Sequence, residues 1–253
     1  MGPAVQQLAW ADLKDALAAG WADFRACPQF GLFFAGIYVA AGLLLGWALF
    51  MQSAIAWLVP AAAGFPLLAP FCAVGLYEVS RRRESGLPTP WSAVLGALRG
   101  RGDEQILSMG VIIFVAFGFW LMIAHAIFAI FLSDNGTESL AFLRSGTGIA
   151  MLAVGSAVGA CLALGFYAVT VVSLPMLVDR DVDFMTAIIA SLSAFRANRR
   201  VLLGWAVLIA AALFTAMLPA FLGLLVVLPV LGHATWHLYR RLLTQGQHPG
   251  SWP

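Results

Sequence analysis

The residues best suited to chemistry in this chain are its histidines. His233 and His237 stand four apart, so on a helix they share one face. Imidazoles so placed could give a metal two ligands or hydrogen-bond at a membrane interface. No third ligand is evident, and Glu78 is a candidate only because it occupies the position equivalent to His237 in an internal repeat. His125 belongs to another apolar segment, near its opposite end. A haem needs two ligands at one depth, and at 1.5 Å of rise per residue His125 and His233 differ in depth by roughly 15 Å. Those two cannot share a haem within one chain, and two histidines on one helix face cannot sandwich one.

Other polar residues point to structural roles. Arg81 and Arg82 follow Glu78 by three and four positions, the spacing of a helical ion pair. Asp181 and Asp183 are placed to cap the helix that follows them, with a metal site in the stretch Asp179–Asp183 as the alternative. Cys27, Cys72 and Cys161 are far apart and odd in number, which excludes a disulfide framework and a cysteine-rich zinc site. The chain has no P-loop, GxGxxG, GxSxG or HExxH motif. The expectation is a protein that is not an enzyme, carries no cofactor and binds no nucleic acid.

The elements that hold these residues are membrane helices. Only 10% of the residues are charged and 62% are hydrophobic, with a mean hydropathy of +0.91. A soluble domain is about 25% charged. Six runs are long enough to cross a bilayer, which takes about 20 apolar residues: Phe30–Met51, Pro60–Ser80, Ile106–Leu132, Gly148–Val178, Arg200–Leu218 and Pro219–Tyr239. The first 29 residues mix acids and bases, unlike a cleavable signal. With both termini cytoplasmic, thirteen of the fourteen basic residues lie inside and only Arg144 lies outside, as the positive-inside rule requires. The one sizeable outer loop, Ser133–Thr147, carries the sequon Asn135-Gly136-Thr137.

A pattern occurs three times ahead of the apolar runs. Leu13, Leu17, Trp21 and Phe24 precede Arg25; Leu87, Trp91, Leu95 and Leu98 precede Arg99; Phe184, Ile188, Leu192 and Phe195 precede Arg196. The spacing predicts three amphipathic helices lying in the cytoplasmic interface, their large residues sunk in the headgroups or packed on the ends of the spans. The second span also repeats. Pro60, Gly64, Pro70, Tyr77, Arg81 and Arg82 match Pro219, Gly223, Pro229, Trp236, Arg240 and Arg241 at an offset of 159. Pro60 and Pro219 fit the first helical position, and Pro70 and Pro229 fall in mid-span, where they should kink it.

The fold class expected is therefore an all-α membrane protein with six transmembrane helices. It is one membrane domain over residues 1–253, built as three tandem units of amphipathic helix plus transmembrane hairpin, about 10–80, 87–178 and 184–241, with a short tail at 242–253. A pseudo-threefold bundle is the arrangement expected, with a repeat in sequence but no threefold symmetry in space as the alternative, since the second unit matches the others only in its amphipathic helix. Gly42 with Gly46, and Gly155 with Gly159, form GxxxG pairs that suit close helix packing. Interface or lipid contacts are expected at Trp21, Arg25, Arg81, Arg82, Arg83, Trp91, Arg99, Arg196, Arg240 and Arg241.

The stretches PFCAVGLYEVSRRRESG (Pro70–Gly86), VVSLPMLVDRDVDFMTAIIAS (Val171–Ser191) and LLVVLPVLGHATWHLYRRL (Leu224–Leu242) carry a resemblance. The chain is similar to a bacterial family of integral membrane proteins known as a domain of unknown function, some of whose members are labelled cytochrome c oxidase subunit I. A catalytic subunit I has twelve spans and six histidines for two haems and a copper. Six expected spans and four histidines do not supply that. The resemblance implies instead an accessory, structural or assembly subunit of a respiratory or other energy-transducing complex in the bacterial inner membrane, with other integral membrane subunits as partners. A small-solute transporter or channel is one alternative, and a haem or metal protein using His233 and His237 is the other. No Asp, Glu, Lys or Arg lies near a span centre, which weighs against proton-coupled transport.

Overall fold

A computed structural model of the chain describes residues 5–51, 69–97, 105–132 and 144–243. Those residues are helical, with no strand among them. In chain order the helices are α1 (Trp10–Ala26), α2 (Pro28–Met51), α3 (Ala69–Glu84), α4 (Trp91–Gly96), α5 (Gln105–Leu132), α6 (Gly146–Asp179), α7 (Phe184–Ala197), α8 (Arg199–Met217) and α9 (Leu224–Leu243). Helices α2, α5, α6 and α8 are long and apolar enough to cross a membrane. The other two expected spans differ from these. The described part of α3 is 16 residues, and the later turns of α9 carry His233, Thr235, His237, Arg240 and Arg241.

The sixth expected span starts later than its apolar run. Residues 218–223 form a turn in which Ala220 and Phe221 have φ of 48° and 66°. Pro219 therefore sits in a turn and not at the first position of α9, because a proline cannot carry α8 onward through its missing N–H and the chain must reverse here. Pro229 and Pro175 lie inside α9 and α6. Pro70 stands in the first described turn of α3, and Pro60 and Gly64 lie outside the described residues. Leu242 and Leu243, expected in the tail, are buried in the last turn of α9.

The large residues of the first and third amphipathic segments do pack on the core, Leu13 and Phe24 buried and Leu17, Phe184, Ile188 and Phe195 partly so, but the tightest part of the seam is made by small residues beside them. In α1 the buried positions are Leu13, Ala16, Gly20, Asp23 and Phe24, while Trp21 is 46% exposed. In α7 they are Ala187, Ala190, Ser191 and Ala194. Aligned by the repeat, Ala187, Ser191 and Ala194 stand where α1 has Ala16, Gly20 and Asp23. The seam is made of small residues because the helices they meet come close. A Cβ on Gly20 would lie 2.6 Å from the Ala234 nitrogen and 2.7 Å from the Val230 oxygen of α9. Ser191 donates to the Ala168 carbonyl and accepts from the Val172 amide, both on α6.

The second segment departs most. Its helix α4 covers only Trp91–Gly96, and Leu87 lies in extended chain before it. Pro88 and Pro90 explain this, since each lacks an N–H and biases the residue before it away from helix. Trp91 is 42% exposed and rests its ring 4.4 Å from Phe30 and 5.1 Å from Phe33 of α2. Leu98 and Arg99 lie outside the described residues.

The C-terminal ends of α3, α6 and α9 lie together, joined by ion pairs. Arg240 of α9 reaches Glu84 of α3 at 3.1 Å and Asp179 of α6 at 3.3 Å. The Tyr239 hydroxyl donates to Asp179 and the Trp236 indole N–H to Glu84. Arg241 binds Asp12 and Asp15 of α1. Asn198, between α7 and α8, accepts from the Leu8 amide and donates to the Gln6 carbonyl, tying the chain's start to the same end.

Candidate functional site: a buried polar joint

Helices α1, α3 and α9 converge on the carboxylate of Asp23. It is 6% exposed and accepts three hydrogen bonds: from the Ser80 hydroxyl at 2.6 Å, the Arg83 Nε at 2.8 Å and the His237 Nε2 at 2.8 Å. Each donor follows from helix geometry. Ser80 and Arg83 are one turn apart near the end of α3, and His233 and His237 one turn apart on α9. Asp23 reaches them because Ala16 and Gly20, on the same face of α1, let its backbone settle against α9. Burial alone would raise the Asp23 pKa, but the hydrogen bonds from His237, Ser80 and Arg83 outweigh it and hold the carboxyl well below the ordinary carboxylate range.

The protons in this network can be placed by elimination. An ionised Asp23 only accepts, so the Ser80 hydroxyl must donate to it. Ser80 Oγ also lies 2.7 Å from His233 Nδ1, and with its own proton spent on Asp23 it accepts there. His233 thus carries its proton on Nδ1. Its Nε2, fully buried, has no hydrogen-bond partner. The order of this chain matters: in a nucleophilic triad the imidazole takes the serine proton and the carboxylate holds the imidazole. Here the serine bridges carboxylate and imidazole, is itself buried, and is not activated. The arrangement is a structural clasp with one imidazole lone pair left over.

The expected site residues fall into separate groups. His233 and His237 do share a face and a network, but they bond different atoms, Ser80 and Asp23. Glu78 does not join them. It takes a bidentate pair from Arg81 and a bond from Arg82, all at 2.7 Å, the local ion pair its spacing suggests. Among the described residues no three His, Cys, Asp or Glu side chains converge as a metal site. Arg82 also donates to the Pro88 carbonyl and Arg83 approaches the Cys27 sulfur. Arg240 and Arg241 serve the ion pairs already described, while Trp21, Arg25 and Arg196 are exposed. His125 is exposed on α5, away from this joint. Asp183 caps α7 through the Thr186 amide and hydroxyl, and Asp181 does not.

Sequence reasoning missed Asp23 and Ser80. A signal was present: Asp23 is the acid on the small-residue seam of α1, at a place where α7 has Ala194 and the segment at α4 has Ala97. An acid facing inward in one repeat copy only implies a donor specific to that copy.

A second feature is a cavity of about 640 Å³ bordered by α3, α5, α6, α8 and α9. Its wall is mostly Ala, Gly, Leu and aromatic side chains, including Trp120, Gly155, Ala163 and Ala206. Of its five wall hydroxyls three are closed on the protein itself, Thr170 on the Phe166 carbonyl, Thr235 on Leu231 and Tyr167 on Leu202, and Tyr77 and Ser156 are the other two. The cavity touches α3 and α9, as a solute path between the second and sixth spans would, but its lining is apolar and not polar.

No curated protein and no solved structure matches the chain. Residues 58–179 match the model of the family described as Predicted integral membrane protein (DUF2189), and the similarity to an integral membrane protein family of unknown function is thereby shown.

Proposed function

We propose that this chain is a non-catalytic inner-membrane protein that acts by association, as an accessory, structural or assembly subunit of a larger energy-transducing complex. The observation that carries this reading is the bareness of α6. That helix is 34 residues long, yet only 6% of its most apolar stretch is buried within the chain, against 28% for α2, α5 and α8. Val154, Ala157, Cys161 and Gly165 lie along one exposed side of it. Small residues on a membrane helix allow a partner helix to come close. The charged residues support the same reading, because those of the joint are engaged in holding helices together.

The topology proposed is six spans with both termini cytoplasmic, arranged as three tandem units. Support comes from the C-termini of α3, α6 and α9 meeting at one end, as the second spans of three like hairpins would. Support comes also from α1, which packs on α9 through Gly20 while α7 packs on α6 through the equivalent Ser191. Closing a ring of three units requires the first amphipathic helix to meet the last span.

Cys161 provides the test. A benzophenone photo-crosslinking amino acid put in place of Cys161 and irradiated in native membranes, where it inserts into C–H bonds and needs no thiolate, should link the chain to another membrane protein that mass spectrometry then names. A chain that migrates alone in mild detergent and gives no protein adduct at that position would sink the accessory-subunit reading.

A further inference from the structure

We propose that the cavity between α5, α6 and α8 is a binding slot for one hydrocarbon chain of a membrane lipid, held lengthwise within the bundle. Its shape argues for a long occupant. Along α6 the wall runs from Met151 to Leu174, which at 1.5 Å per residue is about 35 Å. That is close to the roughly 30 Å of a bilayer's hydrocarbon core. A volume of about 640 Å³ drawn out over about 35 Å is a long trough, open along one side. An extended alkyl chain matches that length, is wholly apolar and reaches the slot from the bilayer itself.

The wall is mostly apolar. The hydroxyls of Thr170, Thr235 and Tyr167 are spent on backbone carbonyls, which leaves those of Tyr77 and Ser156 over a span-long wall, so an extended polar solute would give up its water for few partners. The mouth is apolar as well: Leu164, Val207 and Phe214 border the slot and are exposed on the outer surface of α6 and α8. On helices long and apolar enough to span, that surface faces lipid, so a chain enters sideways without crossing water. Small residues hollow the slot. Gly155 and Ala163 of α6 and Ala206 of α8 stand where larger side chains would fill it, and a Cβ on Gly155 would meet nothing within 4 Å. The inference is independent of any partner on the other side of α6.

The test uses the full chain in vesicles of phosphatidylcholine bearing a photoactivatable diazirine near the end of one acyl chain. Adducts should concentrate on slot residues such as Ala163, Ala206 and Trp120. The double substitution Ala163→Phe with Ala206→Phe should lower labelling there at least tenfold and leave labelling of the exposed face of α2 unchanged. Lipid extraction of wild-type protein from mild detergent should return about one tightly held acyl lipid per chain. Adducts spread evenly over all lipid-facing helices in the wild type would overturn the proposal without reference to the variant. So would extraction of an isoprenoid in place of an acyl lipid, since that would assign the slot to a different chain chemistry.

Discussion

Helix α9 has two working sides, and they are built on opposite rules. On one, His233 and His237 enter a joint where α1, α3 and α9 touch and nearly every polar atom has a partner. On the other, Leu228, Leu231 and Thr235 line a slot that no side chain among the described residues fills. Both sides depend on small residues. Gly20 is small because the backbone of α9 lies against it, and Gly155 is small with nothing against it. A small residue in a membrane helix thus marks either the closest contact or a void. What separates the two is whether hydrogen bonds pull the facing helix in. The joint has Asp23 to do so, and the slot has no equivalent.

The largest effect should come from removing that carboxylate. Asp23→Ala takes the shared acceptor from Arg83, His237 and Ser80; the first two still reach water and the serine can turn to His233, so the loss is that of hydrogen bonds to a buried charged group, about 1.5–3 kcal/mol. Thermal unfolding in detergent at neutral pH measures it. The pH dependence gives the sign. Asp23 has a lower pKa folded than unfolded, so its contribution is complete above the unfolded value of 3.8 and is lost as pH falls through the lower folded value. The gap between wild type and Asp23→Ala should therefore shrink in acid below about pH 4. A gap unchanged down to pH 2.5 would mean that the carboxylate acts by packing alone.

The paired glycines test the contrast directly. Gly20→Ala puts a Cβ 2.6–2.9 Å from backbone atoms of Ala234 and Val230, which cannot swing aside as a side chain would. Overpacking of this kind costs about 1–3 kcal/mol. Gly155→Ala meets nothing and gains helix propensity, so it should be neutral or stabilising by up to about 1 kcal/mol. The same unfolding assay serves both. Equal losses at the two sites would erase the distinction between contact and void.

Much of this architecture was legible in the residues. Apolar runs and arginine positions foretold an all-helical membrane protein, and the Glu78–Arg81–Arg82 pairing followed from spacing alone. The amphipathic segments were visible, and so was part of the buried side of α1, Leu13 and Phe24, but its small residues were not. Large residues dominate a hydrophobic pattern, whereas Ala16 and Gly20 face inward because α9 approaches them, a fact of tertiary packing. The joint was hidden for the same reason. Asp23 is 57 residues from Ser80 and 214 from His237, and no local rule connects them. The start of α9 was misread because Leu218–Gly223 is as apolar as a span, and only the backbone reversal at Ala220 and Phe221 marks the turn. The slot could not be read at all, since periodicity does not distinguish a facing helix from an empty place.

Asn198 extends the joint to the chain's start with a smaller stake. Its side chain holds the Leu8 amide at 2.7 Å and the Gln6 carbonyl at 2.9 Å. Asn198→Ala should cost about 1 kcal/mol, near the net worth of a typical hydrogen bond, because water can replace the lost partner at so superficial a segment. Amide hydrogen exchange at Leu8 should rise while that of Ala234, in the middle of the joint, stays slow. Faster exchange at both would show that residues 5–9 help to seat α1.

The smallest expected change is at Ala206, and its smallness is what makes it informative. A leucine there adds three carbons to the slot wall. In a close-packed interior such an addition displaces neighbours and costs about 1–3 kcal/mol. In the slot the new methyls enter space that the protein leaves open, displacing at most a mobile alkyl chain of similar polarity. The two apolar occupants are nearly equivalent, so Ala206→Leu should move stability by less than about 1 kcal/mol in either direction. It should also shift with lipid: a loss in detergent carrying long alkyl tails and a gain in one too bulky to enter. A fixed loss above 2 kcal/mol in every detergent would mean that α6 and α8 close on each other in the membrane, and the opposition between the two sides of α9 would reduce to one kind of packing.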